Sequence, residues 1–195
     1  MKKAALLLIA ICCCTDAAFA QIRERFGVKG PWVFNNTGYI LESSEAGSEH
    51  YFVQEYLPAG QQFDSYTEMM SIYVLESDIS VSMAMLAKVA ELDERKKTDP
   101  VCHYKQADAE TDTDWTIDFL MSSSTGNSLN FVEFNVYHYH RADIGHGKKG
   151  MVLYCYTKRA YGNDIKPFLT DLSKERQLRL SQMKAAKMPA VTLTK

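Results

Sequence analysis

The chain has 195 residues, with 22 basic and 24 acidic side chains and a net charge of −2. That balance leaves no basic excess to track a phosphate backbone, which argues against nucleic acid as a partner. Beyond the first twenty residues no apolar run approaches the roughly 20 residues of a spanning helix, so an integral membrane protein is not expected.

Residues 1–20 read as an address. Lys2 and Lys3 give a positive start, residues 4–14 an apolar stretch, and Ala18-Phe19-Ala20 the small-x-small pattern of a signal peptidase site. As a helix the apolar stretch would cover about 16 Å, too little for a hydrocarbon core of about 30 Å. Cleavage after Ala20 is therefore expected, giving a periplasmic or secreted protein that begins at Gln21. Removing Lys2, Lys3 and Asp16 leaves 20 basic and 23 acidic residues, a charge of −3. Cys12, Cys13 and Cys14 leave with the signal, and none follows the small residue that a lipid anchor requires. Cys102 and Cys155 remain, as one disulfide or two buried thiols. An oxidising compartment favours the bridge, which would close about 54 residues and contribute about 4 kcal/mol in the chain-entropy model.

Residues 21–37 lack periodicity and read as a lead-in that packs Phe26, Trp32 and Phe34 onto the domain. Strands are expected at 38–43 and 49–57, the second ending at the turn Pro58-Ala59-Gly60. Ser65-Tyr66-Thr67-Glu68 matches a capping box, but 70–75 is rich in strand formers and strand prevails. Residues 78–95 form the first helix, capped by Ser80 or Asp78, with Val81, Met85, Val89 and Leu92 on one face. Strands follow at 102–107, 115–121, 129–140 and 149–159. A last helix begins near Asp164 with Pro167 in its first turn. Its stripe of Ile165, Phe168, Leu169, Leu172, Leu180 and Met183 is interrupted by Arg176. The resulting expectation is one α+β domain over 21–188: a single antiparallel sheet of six or seven strands with two helices. Residues 189–195 are expected to fray.

The hairpin of 129–140 and 149–159 carries the candidate site. Placing Arg141 opposite Gly150 sets Tyr137 across from Tyr154 and Val136 across from Cys155. One face then holds Val132, Phe134, Val136, His138 and His140, and the other Tyr137, Tyr139, Tyr154 and Tyr156. The four tyrosines either lie beneath a helix or hold a ligand or partner chain. His138 and His140, on one side of a strand, can converge on a metal with Asp143 and His146, the basis of an alternative reading as a metal-dependent hydrolase. No His-Glu-x-x-His pairing supports it. Asp108, Glu110, Asp112 and Asp114 alternate, but Thr113 and Phe119 stand where a calcium loop needs glycine and glutamate, so they read as a solvated connection. The glycines around Lys148 and Lys149 read as a hairpin turn rather than a phosphate loop, and no Gly-x-Ser-x-Gly occurs.

Glu55-Tyr56-Leu57-Pro58-Ala59-Gly60-Gln61, followed by Tyr66-Thr67-Glu68-Met69, resembles a pattern in small secreted bacterial domains of uncharacterised function. The resemblance implies a shared turn between adjacent strands and lends no activity. Export, one domain, no catalytic signature and a tyrosine-rich face together predict a non-enzymatic module without a cofactor. Its partner would be a protein or a small ligand in the bacterial envelope or outside the cell.

Overall fold

Among the described residues eight strands, rather than six or seven, share one antiparallel sheet. The computed structural model describes residues 22–106 and 113–194; the signal segment, Gln21 and the acids Asp108, Glu110 and Asp112 lie outside it. The strands are β1 (Trp32–Phe34), β2 (Thr37–Ser48), β3 (Tyr51–Pro58), β4 (Glu68–Leu75), β5 (His103–Gln106), β6 (Asp114–Thr125), β7 (Ser128–Asp143) and β8 (Lys149–Tyr161). Helix α1 (Val81–Arg95) lies between β4 and β5, and α2 (Ile165–Ala185) follows β8. The order across the sheet is β1-β2-β3-β4-β8-β7-β6-β5. Two four-strand meanders thus meet where β4 pairs β8, with Ile72 opposite Tyr154.

The additional strand is β1, inside the expected lead-in. Asn35 and Asn36 both adopt positive φ, 48° and 63°, between the paired residues Phe34 and Thr37. Two left-handed residues make the tight hairpin whose twist suits the flanking strands, and asparagine tolerates that conformation. The turn after β3 closes through the Gln61 amide donating to the Pro58 carbonyl at 3.1 Å. Tyr66 packs beside it on Leu57 and Met69. The capping-box match does no helix work: the Gln61 side-chain carbonyl accepts from the Thr67 amide at 2.8 Å, and β4 follows. Helix α1 is capped by Ser80, whose hydroxyl accepts from the Met83 amide at 3.2 Å.

The β7–β8 register differs from the expected one by a single residue. Ala142 faces Gly150, Tyr137 faces Cys155, His138 faces Tyr154 and Val136 faces Tyr156. The loop holds five residues, 144–148, closed by Ile144 N–H to the Lys148 carbonyl at 2.9 Å. Gly150 makes room for it: a Cβ there would meet Ile144 Cδ1 at 2.8 Å and the Leu75 carbonyl at 2.9 Å. A one-residue slip exchanges the faces of an entire strand. Tyr154 and Tyr156 therefore share a face with His138 and His140, and Tyr137 and Tyr139 share the other with Met151, Leu153 and Cys155. The expected separation into aliphatic and tyrosine faces had no physical force, because helices bury both sides.

Helix α2 covers one face, packing Leu172 and Met183 against Phe134, Val136, Tyr154 and Tyr156. Arg176, the break in its apolar stripe, pairs with the buried Asp118 carboxylate. Phe26, Trp32, Phe34 and Val191 belong to the same cluster. The tail does not fray as expected. Val191 is buried, and Thr192, Leu193 and Thr194 donate backbone hydrogen bonds to Phe26, Ile144 and Arg25 at 2.8, 2.9 and 2.7 Å. Apolar side chains at alternate positions give the segment an anchor, which residue-by-residue polarity had concealed.

Helix α1 lies on the other face with Met85 and Leu92 over Ile117, Phe119 and Tyr139. Both its ends are tethered. Arg141 donates to the Ser77 and Ile79 carbonyls at 2.9 Å ahead of the helix. Beyond it, Asp99 accepts from the Ser122 amide and hydroxyl at 2.7 Å and from Arg95 and the Val101 amide at 3.0 Å. Burial works against the Asp99 charge, but these bonds outweigh it and hold its carboxyl below the usual aspartate value. Among the described residues no helix is long and apolar enough to cross a membrane.

Cys102 and Cys155 are both free and buried, not bridged. Cys155 is in β8 and Cys102 directly precedes β5, three strand spacings or about 14 Å away. A disulfide needs Cα atoms within about 7 Å. Burial pushes both thiols up, away from the thiolate form that reacts.

Candidate functional site

The four tyrosines singled out by sequence separate into two pairs. Tyr154 and Tyr156 are core residues: Tyr154 donates to the Pro189 carbonyl at 2.7 Å, and Tyr156 donates to Glu68, which also accepts from Tyr39. Burial pushes the Tyr154 hydroxyl up to about 12. Neither can meet a ligand without removal of the elements above it.

Tyr137 and Tyr139 instead help to line an open groove of about 360 Å³ between α1 and the sheet. Tyr51 from β3 and Tyr73 from β4 complete a set of four tyrosines, with Leu75, Met151 and Leu153 between them. The groove exists because α1 crosses the β5–β7 side of its face and leaves part of β3, β4 and β8 uncovered. Ala84 and Ala87 keep the helix wall low. The Tyr51 and Tyr73 rings stack 6.3 Å apart at 26°, and Tyr137 meets Phe119 edge-on at 4.8 Å. Lys88 Nζ lies 5.2 Å from the Tyr137 ring centroid and 2.8 Å from Glu91 Oε1.

Burial raises all four phenols, with the neighbouring Cys155 adding to it. They are neutral at physiological pH and can donate as well as accept hydrogen bonds. The site therefore combines flat apolar surface, phenolic hydroxyls and one ion pair at the rim, which suits a planar, partly polar small molecule. Sequence reasoning missed Tyr51 and Tyr73. Their alternation with Val53 and Leu75 was visible, but their meeting with Tyr137 depends on the pairing of β4 with β8.

The two histidines are brought together, though with a different carboxylate from the one expected. His138 and His140 stack with centroids 6.4 Å apart at 15°. His140 Nδ1 lies 2.6 Å and His138 Nε2 3.3 Å from Asp114 Oδ1. Asp143 accepts from the Gly145 amide at 2.7 Å, and His146 Nε2 lies 3.1 Å from the Leu193 carbonyl; neither joins the pair. Asp114, expected in the solvated acidic connection, instead begins β6 directly across from His140.

A model of an uncharacterised sequence family matches residues 26–188, from the lead-in to just past α2, and the chain belongs to that family. No curated protein and no solved structure matches it.

Proposed function

We propose that the protein is an exported, non-enzymatic binding module that holds a small planar ligand in the groove between α1 and the sheet. The observation that carries this reading is the set Tyr51, Tyr73, Tyr137 and Tyr139 around a groove of about 360 Å³. That size falls within the range of small-molecule sites, of order 300–1,000 Å³. Protein partners bury several hundred square ångströms per side and are served by broader surfaces. Export rests on the segment 1–20, whose pattern is that of a cleaved signal and supports a location in the periplasm or outside the cell.

Titration with the fluorescent dye anilinonaphthalene sulfonate tests the reading, since the dye presents flat aromatic rings together with an N–H and a sulfonate. Saturable binding of one dye per chain is expected. Ala87→Trp, which fills the groove from the exposed helix wall, should weaken it at least tenfold, and Tyr51→Ala should weaken it severalfold. No saturable binding, or the same affinity in both variants, would overturn the proposal.

A further inference from the structure

We propose that Asp114, His138 and His140 form a site for one divalent transition-metal ion of the zinc class, on the sheet face opposite the tyrosine groove. The three residues come from paired strands in fixed register. Asp114 faces His140, Thr116 faces His138, and the two histidines are separated by one residue, so their side chains leave the same side of β7. Each of the three offers a ligand atom, and these atoms all lie within 4.8 Å of one another.

The distances suit a metal. Bonds of about 2.0–2.2 Å to nitrogen and oxygen in a tetrahedral shell put ligand atoms roughly 3.3 Å apart. The His138–Asp114 separation is 3.3 Å. The His140–Asp114 separation of 2.6 Å needs to open by well under 1 Å, and His140, with 38% of its side chain exposed, has room to turn. Both imidazoles direct a nitrogen at the same carboxylate oxygen, and their rings lie nearly parallel. An ion seated between the two nitrogens and that oxygen would take one lone pair from each group.

The surroundings prepare the ligands. Thr116 Oγ1 lies 3.0 Å from His138 Nδ1. With Nδ1 donating to that hydroxyl, Nε2 carries the lone pair and faces Asp114, the orientation that outer hydrogen bonds commonly impose on a ligating histidine. The Tyr154 ring, 6.5 Å from His138, supports it from β8. Imidazole nitrogens select zinc, nickel, cobalt or copper over calcium and magnesium, which take oxygen ligands. Three protein ligands at a partly exposed edge leave a coordination position for water or a second molecule.

The experiment uses the full mature chain stripped with chelator and titrated first with Co²⁺, read by its visible absorption, and then with Zn²⁺ by calorimetry. One ion per chain is expected, with Zn²⁺ displacing Co²⁺ and removing the absorption. His140→Gln, at a half-exposed position that does not threaten folding, should weaken Zn²⁺ by at least 100-fold, as should Asp114→Asn. Thr116→Val, which acts through His138, should weaken it about tenfold. Asp143→Ala and His146→Ala should leave it unchanged. No saturable Zn²⁺ binding at micromolar concentration would overturn the proposal. So would an affinity indifferent to His140→Gln and Asp114→Asn, or one abolished by the Asp143 or His146 substitution.

Discussion

The two faces of the sheet receive the same residue type from the same hairpin and put it to opposite uses. Toward α2, Tyr154 and Tyr156 are sealed; toward α1, the half-buried Tyr137 borders open space beside the buried Tyr139, with Tyr51 and Tyr73 completing the groove. The difference lies in how much cover each face has. Helix α2, about 32 Å long from its 21 residues, is joined by β1, the lead-in and the tail, whereas α1 spans only about 22 Å and is joined, among the described residues, by its flanking Ile79 and Cys102. A face with surplus cover becomes core, and a face with a deficit keeps a groove. The tyrosines themselves do not decide which.

Stability measurements on one tyrosine from each face give the strongest way to break this contrast. Tyr156→Ala should cost about 3–5 kcal/mol in urea unfolding, the range for deleting a fully buried aromatic ring. Tyr51→Ala, on the open side and 37% exposed, should cost less than about 1.5 kcal/mol while weakening dye binding. Equal costs would mean that the faces do not differ in the way described.

The helix on the open face should depend on its tethers. Asp99→Asn keeps the shape but removes the charge that four donors address, and should cost about 2 kcal/mol. Because the folded carboxyl is held below its unfolded value, Asp99 contributes fully above the unfolded pKa, near 3.9. That contribution is lost as pH falls through the lower, folded value. Stability followed by circular dichroism from pH 6 to pH 2 should therefore fall less steeply in Asp99→Asn than in the parent chain. An identical acid limb in the two proteins would count against the tether.

The smallest effect concerns the thiols. A reducing agent should leave the unfolding midpoint unchanged, and both Cys102 and Cys155 should react with maleimide once the unreduced protein is denatured. A midpoint that drops on reduction would show a bridge and force β5 and β8 closer together than the sheet allows.

Local signals carried much of the fold. The Ser80 cap with its apolar spacing identified α1, and the stripe ending at Met183 identified α2, with Arg176 as the telling exception. Strand β1 could have been read from Asn35-Asn36, a pair suited to positive φ. The β7–β8 register was beyond reach, because two buried faces make either parity equally apolar and the size of the loop depended on Ile144 fitting under Gly150. The site was half legible for a related reason. Tyr137, Tyr139, His138 and His140 lie close together in sequence, whereas Tyr51, Tyr73 and Asp114 reach them only through pairings between distant strands.

The docked tail has a consequence for how the chain could be rewired. Thr194 donates from its amide to Arg25 and from its hydroxyl to the Glu24 carbonyl, so the two ends of the described domain are stitched side by side. A few residues would join them, and new termini could be opened at the exposed β6–β7 turn, where Gly126 has φ 59°. Such a circular permutant would preserve every strand pairing of the sheet, with the chain merely entering it at a different point.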